Sequence, residues 1–505
     1  MYITTNLKDN TASSPNQFPQ RTSIVSSLEL ANRSFRLDPT HFNERSDNVL
    51  RHFKALAIQT RRIGDWDVIK KVQIPDRFRR QYLDKKADGI PFLSSSSMLA
   101  LRLPRDAQLP RTLHKVDNYV VQGGELLLSR SGTIGESVIC GASYEGFAVS
   151  EDAARLYVDV AVRGYLHTYF SSAPGHELVL QQNHGKVIRH LTEDQIKDVV
   201  VPVVQEAQFN QINELALRAV SLFDSARVAL GRAQGELERL LQPMPKLGGD
   251  AWLNPKHRTY IFAHDMGPGA RIDPHFRDPQ IEVIRHVLRS RRHKLLGSIA
   301  HVWNPSRFAR PSAEPGHGIP FFSSADLMRA RRKPGTTIAK RAVRLLKQCR
   351  VKSGTIIVCR SGAFGGIMGR ATFVTPAMND WAVTEHMLRC EIHDPGFIPE
   401  FVYAFLSSAR YGYPLITSIR HGKDVPEIDP HELGELVIPY VDEADQVRVA
   451  SHIINAFAFV DEANSAEDEA LHLLLTSLTW PNTVGVPQVH NQTQQQQNGE
   501  IDDEG

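Results

Sequence analysis

Seven short segments of this 505-residue chain occur twice, in the same order, 229 to 237 residues apart. Gly89-Ile90-Pro91-Phe92-Leu93-Ser94-Ser95 returns as Gly318-Ile319-Pro320-Phe321-Phe322-Ser323-Ser324, and Ser129-Arg130-Ser131-Gly132-Thr133-Ile134-Gly135 returns as Cys359-Arg360-Ser361-Gly362-Ala363-Phe364-Gly365. Arg36 to Pro39 matches Arg271 to Pro274, Pro75 to Phe78 matches Pro305 to Phe308, and Phe147 to Glu151 matches Trp381 to Glu385. His184-Gly185-Lys186 matches His421-Gly422-Lys423, and Val201-Pro202-Val203 matches Ile438-Pro439-Tyr440. Solenoid repeats recur every 20 to 50 residues, so a period this long means two similar domains in tandem. Two such domains are suited to a pseudo-twofold arrangement, and to a ligand with two half-sites.

With 41% apolar residues the chain has enough material for two cores. Its 59 basic residues are nearly offset by 56 acidic ones, so net charge alone does not select nucleic acid as a partner. The four cysteines, Cys140, Cys349, Cys359 and Cys390, show neither zinc-ligand spacing nor a disulfide framework. No run approaches the roughly 18 apolar residues of a membrane span, and the Asn/Thr/Ser-rich start lacks a signal-peptide core. A soluble, cytoplasmic protein without membrane contact is expected.

Each copy is followed by a helical stretch. In the first, Phe209, Ile212, Ala216, Ala219, Phe223, Ala226, Leu230, Ala233, Leu237 and Leu240 form a narrow apolar stripe with heptad spacing, the pattern of a coiled coil. In the second, Val447, Ala450, Ile454 and Phe457 start the same stripe, but Asp461, Asn464 and Asp468 then fall on it before Leu471, Leu475 and Leu478 recover it. A slipped register through Val460, Ala463, Ala470 and Leu474 is the alternative. The expected architecture is mixed α/β (α+β), with two tandem similar domains, each followed by a long helix, and the two helices paired as an antiparallel coiled coil under pseudo-twofold symmetry. The expected boundaries are a flexible N-terminus at 1–20, a first domain at 21–204, its helix at 205–243 and a linker at 244–259. The second domain is expected at 260–440, its helix at 441–480 and a disordered tail at 481–505.

Several repeated motifs carry positive charge. The Arg-Ser-Gly-x-x-Gly turn, with Arg130 and Ser131 and again Arg360 and Ser361, follows a strand; its glycines open the backbone to a phosphate, or it is an ordinary turn whose arginine is paired locally. His184 with Lys186, and His421 with Lys423, form a second basic turn. Arg77, Arg79 and Arg80 surround Phe78, and Arg307 and Arg310 flank Phe308, either as a nucleic-acid grip or as core aromatics beneath a basic rim. These thirteen residues are the candidate DNA-binding residues. Base readout, which must differ between domains that read different sequences, is expected in the non-matching stretches near Leu99 to Lys115 and Arg329 to Lys347.

No phosphate-binding loop, zinc-protease motif, nucleophile elbow, dinucleotide fingerprint or base-flipping methyltransferase motif occurs, nor a nuclease-like set of spaced acids and lysine. A non-catalytic chain is expected, with no catalytic residue, metal or cofactor of its own. The alternatives are a duplicated nuclease with an unrecognised site and a protein scaffold that binds no DNA.

The ordered set Arg-Phe-x-Arg, Gly-Ile-Pro-Phe-x-Ser, Ser-Arg-Ser-Gly-Thr-Ile-Gly, an apolar Val-Pro-Val strand and a long helix, occurring twice across residues 21 to 480, resembles the DNA-specificity (S) subunits of type I restriction-modification systems. The resemblance implies two target recognition domains that each read half of a bipartite, gapped site in double-stranded DNA. It also implies two methyltransferase partner subunits that bring S-adenosylmethionine and methylate adenine, and restriction/motor subunits in a larger complex serving phage defence. The second copy departs from the first at Cys359 and Ala363-Phe364, which is compatible with a different half-site.

Overall fold

The computed structural model describes residues 2–5, 21–24, 44–80, 82–83, 89–182, 190–241, 271–313, 317–340, 343–362, 366–422 and 425–481. The two copies build the same sheets. In the first, the strands Ile69–Gln73, Ala153–Val158, Leu126–Ser129 and Ser137–Ile139 form a four-stranded antiparallel sheet in that spatial order. In the second, Ala300–Trp303, Met387–Ile392, Ile356–Cys359 and Ala371–Phe373 take the same places. A three-stranded sheet accompanies each: Gln108–Leu109, Ile90–Leu93 and Ala148–Val149, then Thr336–Ala339, Gly318–Phe322 and Ala382–Val383. The inner strands Leu126–Ser129 and Ile356–Cys359 are buried at every position, which is why they read as unbroken apolar runs rather than alternating ones. Ahead of the first domain, Tyr2–Thr5 pairs antiparallel with Arg21–Ile24, so a strand lies inside the segment expected to be flexible; its Tyr-Ile-Thr-Thr sequence favours extended backbone.

Each domain leads into a 35-residue helix, Glu206–Leu240 in the first half and Glu443–Ser477 in the second. At 1.5 Å per residue each is about 50 Å long. They pack antiparallel along their length, with Arg218 paired to Glu462 and Arg448 Nε 3.3 Å from Glu236 Oε2. The first helix buries the predicted stripe from Ile212 to Leu237. The second uses the slipped register: Val460, Ala463, Ala470 and Leu474 are buried, while Val447 and Ile454, expected on the stripe, are half exposed. The correction has an electrostatic reason, because the unslipped register would bury Asp461 and Asp468 against apolar methyls. In the slipped register Asp468 instead meets Arg331, and Thr375 Oγ1 donates to Asp461.

Each helix starts on its own domain and ends in the other. Leu237 and Leu241 belong to the second domain's core with Ile281, Ile284 and Leu288; Ala470, Leu474 and Leu478 belong to the first domain's core with Val49, Phe53 and Ile63. The helix C-termini are closed by the foreign domain as well: Arg291 donates to Leu240 O and Leu241 O (3.4 and 3.1 Å), and His52 Nε2 lies 2.8 Å from Leu478 O. This satisfies carbonyls that a helix end otherwise leaves open.

The halves differ at one buried pair. In the first, Arg155 binds Glu125 at 2.7 and 2.6 Å through two nitrogens. In the second, Thr355 stands where the first half has Glu125, and Arg389 is left with the carbonyls of Met387, Cys349 and Val383, its Nε without a partner among the described residues. Burial lowers the pKa of Arg389 to about 10. The folded state therefore holds this proton less tightly than the unfolded chain, so the penalty is present in full below pH 10 and fades only as pH rises toward the ordinary arginine value. Thr355→Glu is expected to stabilise the second half by about 1–2 kcal/mol at neutral pH. A urea midpoint that stays put or falls would contradict this.

Candidate nucleic-acid interface

The Arg-Phe-x-Arg motifs fold identically in both halves. Phe78 meets the edge of Phe92 (centroids 6.1 Å), and Phe308 meets Phe321 (6.0 Å), so both phenylalanines anchor the three-stranded sheets from above. The last arginine of each motif lies over the same ring, Arg80 over Phe92 at 5.5 Å and Arg310 over Phe321 at 5.3 Å. Each also binds the repeated glutamate, Arg80 to Glu151 at 2.9 Å and Arg310 to Glu385. Burial works against the charge on Glu385, but the Arg310 hydrogen bond and charge together with a backbone N–H outweigh it and hold the carboxyl below the usual range. Arg80 and Arg310 are therefore tied to the sheet edge, with 35% and 34% of their side chains still exposed. Arg77 and Arg307 point out: their side chains are 86% and 72% exposed, with Arg77 Nε 3.9 Å from Glu151 Oε1 and Arg307 Nη2 donating to Glu427 Oε1 at 3.4 Å. Arg79 is exposed and makes no ion pair among the described residues.

In the Arg-Ser-Gly turns both arginines have local partners. Arg130 Nε donates to Leu191 O (2.7 Å) and Nη1 to Glu151 O (3.2 Å); Arg360 Nη2 binds Glu427 Oε2 at 2.7 Å. Burial pulls the Arg130 guanidinium below its usual pKa, against the raising effect of Asp152 and Glu151. Ser131 donates to Asp152, whereas Ser361 Oγ lies 3.1 Å from His386 Nδ1, so equivalent positions present an acid in one half and an imidazole in the other. Gly132 has φ +69° and Gly135 φ +92°; at Gly135 a Cβ would also lie 2.7 Å from His176 Nδ1. Glycine is thus required by backbone shape and by a packed ring. Arg130→Ala is expected to cost about 1–3 kcal/mol by leaving the Leu191 and Glu151 carbonyls short of a donor. Chemical denaturation checks this, and an unchanged midpoint would return Arg130 to the surface.

His184, Lys186 and Lys423 lie outside the described residues. His421 sits 2.6 Å from Glu432 Oε2, a carboxylate that also receives Arg271 Nη1 at 2.6 Å. The partners Glu427, Glu432 and Asp152 were not singled out in the sequence, because they recur in no shared motif. The buried Arg155 had a signal: an arginine inside an apolar strand, repeated as Arg389.

The basic runs are redistributed. Arg329, Arg331 and Lys333, expected to read bases, pair instead with Glu136, with Glu467 and Asp468, and with Glu136. Burial opposes the charge on Glu467, yet the His167 hydrogen bond and Arg331 keep its pKa below the usual range. Lys294 binds Asp394, and Arg292 lies 3.9 Å over the Tyr440 ring. In the other non-matching stretch Arg105 lies 4.5 Å over the Phe147 ring and Asp106 takes Arg370 at 2.9 Å. No described helix is long and apolar enough to cross a membrane.

No protein-family model matches the chain, and no curated protein matches it. Solved structures do resemble it. One is the S subunit of a type I restriction-modification system from M. genitalium, 12% identical, covering 84% of this chain and 94% of the other at a TM-score of 0.33. Another is the HsdS subunit from Thermoanaerobacter tengcongensis, 12% identical, covering 83% and 95% at a TM-score of 0.26. A third comes from work on complex assembly and conformational transition of the type I R-M system, 11% identical, covering 84% and 96% at a TM-score of 0.26. The solved structures to which this mixed α/β chain is similar are thus, at low identity, proteins of type I restriction-modification systems.

Proposed function

We propose that this chain is a non-catalytic DNA-specificity subunit that reads a bipartite, gapped site in double-stranded DNA and directs partner adenine methyltransferase subunits to it. The observation that carries the reading is the duplication in space: equivalent domains, each with an outward arginine at the same motif position, stand at opposite ends of an antiparallel helix pair about 50 Å long. One turn of duplex DNA is about 34–36 Å, so such a body suits two half-sites separated by a gap. Arg77, Arg79 and Arg307 would touch phosphates and set register; side chains within the non-matching stretches 99–115 and 329–347 that the fold does not already pair would meet base edges. Arg80, Arg130, Arg310 and Arg360 would act one step back, holding the surfaces that carry those contacts. Adenine must leave the stack to be methylated, and that pocket, with S-adenosylmethionine, would belong to the partners, two of them if the twofold extends to the complex. Restriction/motor subunits would join the same assembly.

The reading is tested by selecting bound sequences from a random duplex library, then repeating the selection with the cognate methyltransferase and S-adenosylmethionine. Enrichment of two short motifs at fixed separation, with a methylated adenine in each, is expected. One contiguous motif, or no enrichment, would refute it. Metal-dependent cleavage by the purified chain alone would favour the nuclease alternative.

A further inference from the structure

The two halves touch each other directly over the middle of the helix pair. Leu101 N donates to Met328 O (3.0 Å) and Ala330 N to Leu99 O (2.9 Å), so Ala100 and Arg329 form an antiparallel bridge. These residues are equivalents. Leu93 and Phe322 hold the same place in their sheets, paired to Val149 and Val383, and the 229-residue offset between them also relates Ala100 to Arg329. Each loop is pinned by its own long helix: Arg227 donates to Leu101 O and Ala100 O (3.0 and 3.4 Å), and Asn464 donates to Ala330 O (3.1 Å).

The backbone of this seam is symmetric and its charge is not. Glu136 and Arg370 immediately precede the equivalent strands Ser137–Ile139 and Ala371–Phe373, whose first residues pair with Leu128 and Val358. Glu136 receives Arg329 (2.9 Å) and Lys333 (3.5 Å) from the second half, whereas Arg370 reaches Asp106 of the first half (2.9 Å). Under the same offset, Arg329, Lys333 and Asp106 correspond to Ala100, Pro104 and Gly335. Two first halves joined this way would set Glu136 against Ala100 and Pro104. Two second halves would set Arg370 against Arg329 and Lys333, with Gly335 where an acid is needed. The other arginines of the first loop are engaged on rings, Arg102 over Tyr403 (5.5 Å) and Arg105 over Phe147 (4.5 Å).

We propose that the seam is a pairing code, selecting union of a first half with a second half over union of two like halves. The fold needs such a discriminator. Both halves end in long helices that slot into a neighbour's core, and an exchangeable element between similar partners is a route to swapped assemblies. Apolar tails of similar shape discriminate weakly, while charges set together or apart discriminate by attraction and repulsion at once.

The test uses the full chain with a protease site placed within 244–250, folded intact and then cut. Two preparations with different tags on their first halves are unfolded, mixed and refolded, and capture on one tag counts unlike and like pairs. For the starting sequence, like pairs of first halves should be at most about one-tenth of unlike pairs, a preference of about 1.4 kcal/mol. Glu136→Arg with Arg370→Glu should raise the like-to-unlike ratio at least about tenfold, because position 136 then attracts Asp106 of another first half. Inverting all five charges (D106R, E136R, R329E, K333E and R370E) should restore the unlike preference. If the double reversal does not refold, the neutral pair E136Q with R370Q decides, with a rise of about threefold expected. A ratio that both double variants leave unchanged, or a starting sequence that pairs like and unlike halves equally, overturns the proposal.

Discussion

Glu125→Ala is expected to destabilise the chain by about 3–5 kcal/mol, lowering its melting temperature on the order of 10 °C. Both side chains of the Glu125–Arg155 pair are only 4% exposed. The carboxylate takes two of the guanidinium's hydrogen bonds, at 2.7 and 2.6 Å, and the carbonyls of Asn118 (2.6 Å) and Val120 (2.8 Å) take others. Removing the acid leaves a cation in the interior with carbonyl dipoles and the Tyr157 ring, 5.6 Å away, but no counter-charge, and desolvating an uncompensated charge costs several kcal/mol. The second half shows what that state requires: Arg389 keeps its charge among three carbonyls with the Trp303 ring 5.4 Å away, a ring the first half lacks at that place, where Gln73 stands. Glu125→Gln, which retains an acceptor, should cost less than the alanine. Urea unfolding followed by near-ultraviolet circular dichroism checks both, and a loss under about 1 kcal/mol for the alanine variant would show that the pair contributes little.

The triple variant Arg77→Ala, Arg79→Ala, Arg307→Ala is expected to bind DNA about a hundredfold more weakly at physiological salt while preferring the same sequence. Removing one cation from a phosphate should reduce the slope of log K against log salt by about 0.9, hence by about 2.7 for three. These arginines are chosen because the fold leaves them exposed, whereas Arg80, Arg130, Arg310 and Arg360 are tied to carboxylates or carbonyls. Stability should therefore stay within about 0.5 kcal/mol of the starting chain. Fluorescence anisotropy across a salt series separates the outcomes. An unchanged slope would place the DNA elsewhere, and a changed base preference would make these residues readers rather than positioners.

Much of this fold is written in local order. The duplicated segments announce two equivalent domains, the apolar runs ending at Ser129 and Cys359 are the inner strands, and the heptad stripe of the first long helix is the face it buries. The aromatic between arginines is legible as a sheet anchor for the same reason: periodicity and short motifs depend on neighbours in sequence. The second helix was legible only as two competing registers, because its acids lie on one of them and nothing nearby in the chain says what would neutralise them.

Partner choice among charges was decided by the tertiary structure. Arg329 meets Glu136 across 193 residues, Arg370 meets Asp106 across 264, and His167 meets Glu467 across 300. Coulomb attraction at such pairs depends on a few ångströms of separation and on how much water is excluded, and neither is encoded in spacing along the chain. The sequence by itself therefore determined that this protein has two similar halves, each with a long helix and basic turns. Only the fold decided which of those cations face solvent and which are consumed in holding the halves together.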